Sequence, residues 1–210
     1  MNEKKTLKVM IVNGSARPDS NTSQVLNYMR EIFERSGVSV VWIDVPADLP
    51  GCTGCAACKT SGRCIQNDLV TQATDLWDEC DGLLVGSPVY FSGISGSVKC
   101  FMDRLCYSSM RDRRAKVGGA VVCVRRGGGT AAIDQLNHYL LYSGMCVAGS
   151  TYWPMVYGSA KGEAMQDVEG LNTATNLANN MIFMMRAFAL GKETYGLPEL
   201  EPKVRMNFIR

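Results

Sequence analysis

Four cysteines crowd one short stretch, Cys52-Thr53-Gly54-Cys55-Ala56-Ala57-Cys58-Lys59-Thr60-Ser61-Gly62-Arg63-Cys64, a C-x2-C-x2-C-x5-C pattern. Closely spaced thiolates separated by small residues can wrap one inorganic centre without steric conflict, and four ligands to a [4Fe-4S] cluster is the sharpest reading of Cys52, Cys55, Cys58 and Cys64. A redox-active thiol loop without metal is a second reading. Zinc is a third, since four thiolates meet its tetrahedral demand, although zinc more often takes two separated pairs. The other five of the nine cysteines, Cys80, Cys100, Cys106, Cys123 and Cys146, stand singly in apolar or helical surroundings and read as small buried hydrophobes.

Three further segments have the composition of ligand loops. The first, Gly14-Ser15-Ala16-Arg17-Pro18-Asp19-Ser20-Asn21-Thr22-Ser23, follows an apolar run and opens a helix. Free N–H groups and the positive helix end favour an anion there, with hydroxyl and amide donors and Arg17 adding to the pull, so a terminal phosphate fits. It lacks the lysine followed by Ser or Thr that ATP loops carry, and no G-x-G-x-x-G follows a strand. The second, Gly86-Ser87-Pro88-Val89-Tyr90-Phe91-Ser92-Gly93-Ile94-Ser95-Gly96, offers flat apolar surface from Tyr90 and Phe91 and glycines that admit a planar ring close to the backbone. The third, Arg125-Arg126-Gly127-Gly128-Gly129-Thr130, places Arg126 and glycine amides where they would stabilise the negative charge of a reduced isoalloxazine.

The elements that must position these loops alternate strand and helix along the chain. Leu7 to Asn13 reads as a strand, with Val25, Leu26, Met29, Ile32 and Phe33 at helical spacing after it. Val38 to Val45 is a second strand, and Leu69 to Cys80 a helix capped by Asn67 or Asp68. Gly82 to Gly86 is a third strand and Val98 to Leu105 a helix. Val117 to Arg125 is a fourth strand, Ala131 to Tyr142 a helix and Met145 to Trp153 a fifth strand. A last helix runs through Leu171, Leu177, Met181, Met184 and Phe188. Such alternation implies parallel strands with right-handed crossovers and helices on both faces, and ligands outside the carboxyl ends of the strands.

Composition narrows the function classes. A chain of 210 residues with 46% hydrophobic and 20% charged residues fits one globular domain. It shows no apolar run long enough to span a bilayer, and no secretory leader is apparent, so a cytoplasmic protein is expected. A net charge of +2 argues against nucleic acid as a partner, and the cluster Arg111, Arg113, Arg114 and Lys116 reads as a solvated loop. The only histidine, His138, reads as structural.

Taken together, GSARPDSNTS, GSPVYFSGISGSVKCFMDR and VRRGGGTAAI resemble the NADPH-dependent FMN reductase and flavodoxin-like flavoprotein superfamily, and the four-cysteine loop resembles that of its iron-sulfur flavoproteins. The resemblance implies a flavodoxin-like three-layer α/β sandwich with a five-stranded parallel sheet in the order 2-1-3-4-5. It spans residues 1–191, with a cysteine-rich loop at 51–67 and a tail at 192–210. It implies an FMN phosphate near Ser15, Arg17, Asn21, Thr22 and Ser23. The flavin ring is expected against Ser87, Pro88, Val89, Tyr90, Phe91 and Gly93, with Arg126, Gly127 and Gly128 beside it. Asp103 and Arg104 match a recurring pair after the second loop, which an ordinary helix-surface or interface salt bridge explains equally well. The ferredoxin spacing differs, with three residues before its last cysteine and a proline after it.

The implied activity is NAD(P)H-dependent oxidoreduction with electron transfer between FMN and a cluster. NADH or NADPH is the transient donor, and a quinone, a flavin or ferredoxin is the acceptor. A cluster-free reductase of flavins, quinones or azo compounds and a non-catalytic FMN electron carrier are the alternatives. A homodimer or homotetramer is expected; Met181 through Phe188 of the last helix and Met206 to Arg210 offer one face for it, although core packing is the preferred reading of the helix.

Overall fold

The computed structural model describes residues 6–109, 111–202 and 204, so the stretch Met206 to Arg210 lies outside the described residues. In chain order the elements are β1 (Lys8–Asn13), α1 (Asn21–Arg35), β2 (Ser39–Asp44), α2 (Cys58–Ser61), α3 (Leu69–Glu79), β3 (Gly82–Tyr90), β4 (Gly93–Ile94), α4 (Gly96–Ser108), β5 (Val117–Val124), α5 (Gly129–Tyr142), β6 (Cys146–Val147), β7 (Met155–Tyr157) and α6 (Val168–Tyr195). A 3-10 turn at Glu163–Gln166 precedes α6.

Strand β1 shows why the chain layers as it does. Its apolar residues alternate between two cores, Met10 and Val12 on one side and Val9 and Ile11 on the other, as a strand covered on both faces must. The first core collects residues of α3, α4 and α5, including Trp77, Phe101 and Leu136; the second collects α1 and α6, including Leu26, Phe33, Leu177 and Met181. Side-chain oxygens start four of the helices by accepting a first-turn N–H: Ser20 for α1, Asp68 for α3, Ser95 for α4 and Asp167 for α6. Helix α6 continues past Gly191 to Tyr195, where Gly196 at φ 72° stops it, so the expected tail boundary at 191 falls inside a helix.

The sheet runs β2-β1-β3-β5-β6, with β4 paired to β3 and β7 paired to β5. With the β4 hairpin set aside, this is the expected order 2-1-3-4-5, and every pairing on that path is parallel. Two departures from the sequence reading make seven strands of five. The expected fifth strand is divided: Cys146 and Val147 pair with Val117 and Gly118, and Met155 to Tyr157 pair with Val122 to Val124. Between them Gly149 and Pro154 interrupt the ladder, since proline brings no N–H and glycine weakens a strand, and the chain loops out carrying Tyr152 and Trp153.

The second departure concerns the loop expected from Gly86. Strand β3 instead continues through Ser87 and Pro88, held by Val122 and Cys123 of the long β5, and then folds back on itself with Val89 opposite Ile94 and Tyr90 opposite Gly93. Only Phe91 and Ser92 turn, both left-handed at φ 49° and 61°. A two-residue turn with both centres left-handed matches strand twist but ordinarily takes Asn or Gly, so two bulkier residues here are held under strain.

The basic cluster is also corrected. Arg113 is 2% exposed, stacked 4.2 Å over the Trp77 ring and paired with Asp78, and Lys116 Nζ donates to the carbonyls of Trp77, Asp78 and Cys80 at 2.6–3.0 Å. Lys116 thus binds the carbonyl end of α3 and Arg113 packs on its Trp77 and Asp78 side chains, while Arg111 is exposed and Arg114 half-buried, as a loop's surface residues are. Of the five single cysteines, Cys80 and Cys123 are buried, Cys100 and Cys106 half-buried and Cys146 exposed on an edge strand. Among the described residues no helix is long and apolar enough to cross a membrane.

Candidate functional site

The first and second loops meet at the carboxyl ends of β1 and β3. Gly14 N–H donates to Gly86 O at 2.8 Å, and a Cβ on Gly14 would stand 2.7 Å from both that oxygen and Val98 Cβ, so only glycine lets these strands and α4 approach. Ser95 Oγ donates to Gly14 O at 2.6 Å and accepts from Val98 N–H, while Ser95 N–H donates to Ser87 Oγ at 3.0 Å, whose hydroxyl reaches Pro88 O. Ser87 is therefore a fully buried brace within the second loop, and Ser95 is the residue that ties that loop to the first. The second and third loops are joined as well: Gly128, left-handed at φ 88°, leaves no room for a side chain against Ser92, and Ile94 N–H donates to Gln135 of α5 at 3.1 Å.

Within the first loop, Ser15 N–H donates to Asn13 Oδ1 and Asn13 Nδ2 donates to Asp44 at 2.9 Å, tying the loop to the end of β2. Ser20 caps α1 through Ser23, and the first-turn N–H groups of Asn21 and Thr22 find no acceptor among the described residues. Arg17 is exposed at the loop's crest. These are anion-directed features, and they fit a phosphate. The Asn21 side chain is otherwise engaged: it donates to Ala160 O and accepts from Gly162 and Ala164 N–H, and Asp19 pairs with Lys161. The 158–166 segment is thereby fastened to the first loop, with Glu163 accepting from Ser159 and Ala160 N–H.

Each expected contact residue can now be placed. Ser15, Thr22, Ser23 and Ser87 are buried; Asn21, Pro88, Val89, Gly93 and Gly128 are half-buried; Arg17, Tyr90, Phe91, Arg126 and Gly127 are exposed. Ser15, Arg17 and Ser23 line a cleft of about 640 Å³ that also takes in Asn27, Trp42 and Asp44. Pro88 to Phe91 and Arg126 to Gly128 do not line that cleft. They gather on the other side of the first loop, where the strained Phe91-Ser92 turn meets Gly128 and the N-terminus of α5, which no side chain caps.

The four-cysteine loop leaves the end of β2 and returns at the cap of α3. Gly54, Ala56 and Gly62, all left-handed at φ 59–70°, turn the chain between the cysteines. Cys52 and Cys55 are exposed, Cys58 and Cys64 half-buried. Their environments differ. Hydrogen bonds from Ala57 N–H and the Thr53 hydroxyl hold the Cys55 thiol below the ordinary range. Burial pushes Cys58 up, and the charges of Cys55, Cys64 and Cys52 push the same way, so the four sulfurs stand within electrostatic reach of one another. Among the described residues no three His, Cys, Asp or Glu side chains close on a single ion. A soft four-thiol set on one loop suits an iron-sulfur cluster, which spreads its ligands more widely than the ~2.3 Å Zn–S bonds of a zinc site do.

Two residues near this loop were misread or missed in the sequence. Arg104 and Asp103 form no pair: Arg104 is 1% exposed and engages Asp68 with two bonds of 2.8 Å, while Asp103 binds Lys99 at 2.9 Å and Tyr139. Arg104 is one helical turn past Phe101, on the buried face of α4. A charged residue at an apolar position of the helical repeat was the available signal. Asn13 likewise ends an apolar run as a buried polar residue before Gly14. His138 is exposed on α5 beside a shallow cleft of about 370 Å³ with Tyr107, Tyr139 and Tyr142.

Comparison with known proteins agrees with this geometry. Residues 7–160 match the family model described as NADPH-dependent FMN reductase. An iron-sulfur flavoprotein of Methanocaldococcus jannaschii is 34% identical over 184 residues, covering 83% of this chain and 95% of that protein. One of Clostridioides difficile is 35% identical over 146 residues, covering 68% of this chain and 65% of that protein. An NADH-dependent FMN reductase of Pseudomonas putida is 29% identical over 136 residues, 64% of this chain and 67% of that protein. Among solved structures, RosB with a bound riboflavin-phosphate derivative superposes with a TM-score of 0.67 at 15% identity, over 97% of this chain and 94% of that one. A WrbA-like flavodoxin of Agrobacterium tumefaciens gives 0.60 at 17% identity, over 88% and 99%. The chain belongs to the NADPH-dependent FMN reductase family of flavodoxin-like flavoproteins, on the branch that contains the iron-sulfur flavoproteins.

Proposed function

We propose that the chain is an FMN-dependent oxidoreductase that passes electrons between FMN at the carboxyl ends of β1, β3 and β5 and a [4Fe-4S] cluster on Cys52, Cys55, Cys58 and Cys64. The observation that carries this reading is the joining of α4 to both places: its cap Ser95 bonds the first loop, and Arg104, two and a half turns on, bonds the cysteine loop. By helix rise the two Cα atoms are about 13 Å apart along one rigid element.

Bound FMN would accept two electrons from NADH or NADPH and release them singly, and the cluster would carry them one at a time. The chain's own residues supply the rest. The free N–H groups of Asn21 and Thr22, with Ser15 and Arg17, would hold the phosphate. Pro88 and Val89 provide a stiff apolar wall, and the exposed rings of Tyr90 and Phe91 provide planar surface beside it. Arg126 and the amides at Gly127 and Gly128 would meet charge on the ring's pyrimidine edge without reorganising. The thiols of the cysteine loop would bind iron as thiolates, releasing protons.

The test is anaerobic reduction of FMN-loaded, cluster-reconstituted protein by NADH or NADPH, followed in the visible spectrum. Bleaching of the flavin and then of the cluster absorbance supports the proposal; flavin bleaching with unchanged cluster absorbance contradicts it. A Cys55→Ser chain that keeps full pyridine-nucleotide turnover but loses electron delivery to a one-electron acceptor would assign the cluster to that delivery. One that loses neither would favour the cluster-free reductase, a reading that the similarity to the Pseudomonas putida enzyme supports.

A further inference from the structure

Arg104 gathers both stems of the cysteine loop. Its Nη1 donates to Pro50 O at 3.0 Å, before the first cysteine, and to Asp68 Oδ2. Its Nη2 donates to the last cysteine, Cys64 Sγ, at 3.4 Å and, beyond it, to Gln66 O at 3.3 Å and Asp68 Oδ1. Gln66 Nε2 closes the same gap from within, donating to Gly51 O at 3.2 Å. Cys100, one turn earlier on the same face of α4, packs under Gly51. Burying a guanidinium costs several kcal/mol unless it is paired and its donors are used, so this cation is held in place by the loop as firmly as it holds the loop. Its Nε is buried with no acceptor among the described residues. Only a planar fork can serve two carboxylate oxygens, two carbonyls and a sulfur from one side chain; lysine, a single point donor, cannot.

We propose that Arg104 is the positioning residue of the four-cysteine loop. It clasps the loop's two ends before any metal arrives, and its N–H bond to Cys64 Sγ tunes the reduction potential of the cluster that the loop holds. This rests on the proposed electron-transfer reading. Hydrogen bonds to the sulfurs and nearby positive charge stabilise the more negative, reduced cluster, and so raise its potential. Lysine keeps the charge and one donor but loses the fork, so Arg104→Lys would rescue part of the potential and little of the clasp.

Two measurements on wild type, Arg104→Lys and Arg104→Met test this. In metal-free protein, hydrogen exchange of peptides within 50–68 should accelerate at least tenfold in both variants, with β1 and β3 peptides unchanged. In the reconstituted protein, the cluster's midpoint should fall by about 59 mV in Arg104→Met, a tenfold change for one electron, and by less in Arg104→Lys. Should Arg104→Met fail to fold, Asp68→Asn, which frees the fork while keeping the arginine, should accelerate the same exchange. Unchanged exchange overturns the clasp. Faster exchange with an unchanged potential overturns the tuning and reduces Arg104 to a loop anchor. Wild-type protein that takes up no iron overturns the electron-transfer reading and the tuning with it, while the exchange measurement still decides the clasp.

Discussion

The strand-end loops and the cysteine loop lie on the same end of the sheet and are built in opposite ways. Around Gly14, Ser87, Ser95 and Gly128 the loops are locked to one another by backbone contacts, buried hydroxyls and close approaches that only glycine permits. The cysteine loop has a four-residue helix and three left-handed residues, is held by one buried arginine of α4, and its outer cysteines face solvent. The first region is fixed by the fold before any ligand arrives. The second takes much of its order from a single side chain and, on the proposed reading, from the cluster it binds. The contrast suits the two groups proposed for them: a flavin needs a preformed surface, whereas thiolates can close around an inorganic core.

Disturbing the preformed region should have the largest effect. Gly14→Val forces a branched side chain onto Gly86 O and Val98 Cβ, and should lower unfolding free energy by about 3 kcal/mol in urea titration while abolishing FMN binding. Wild-type stability there would place the two regions on an equal footing.

A second test uses the buried thiols of the sheet and its flank. Burial raises Cys80 to about 11 and Cys123 to about 12, from an ordinary value of 9.0. Between pH 9 and those values the unfolded chain loses a proton that the folded chain keeps, so stability is fully present below pH 9 and falls as pH rises through the window. The slope reaches about 1.4 kcal/mol per pH unit per thiol. Urea melts of wild type and Cys123→Ala at pH 8 and 10.5 read it: the variant should lack one thiol's share of the fall, with the Cys80 share remaining. At pH 8 an alkylating reagent should modify Cys55 first and Cys80, Cys106 and Cys123, all raised by burial, last, by mass spectrometry.

Smaller effects follow. Ser95→Ala removes the α4 cap and the bond to Gly14 O, and should cost about 1–2 kcal/mol together with weaker FMN binding. Ser92→Gly relieves one strained turn residue and should raise stability by about 0.5–1 kcal/mol; a fall would mean the Ser92 contact with Gly128 outweighs the strain. Cys55→Ser, at an exposed position, should change the stability of the metal-free chain by less than about 0.5 kcal/mol.

The layered fold was legible because apolar runs such as LKVMIVN and helical repeats such as Val25, Leu26, Met29 and Ile32 encode burial directly. The split last strand and the extension of β3 into a hairpin were not, because both depend on β5 being long enough to pair beyond them. The cysteine pattern was plain from spacing alone. Arg104 was not: its partners are distant in the chain, and a cation beside an aspartate on a helix reads locally as a surface pair. Asn21 opens α1 beside the first loop, but its amide is spent on the 160–164 segment, a contact that no local pattern announces.

The most direct test of the central proposal is the content of flavin, iron and acid-labile sulfide in protein purified without oxygen. The proposal predicts one FMN with about four irons and four sulfides per chain, and loss of iron and sulfide but not FMN in Cys52→Ser. One FMN with no iron in the wild-type chain would contradict it.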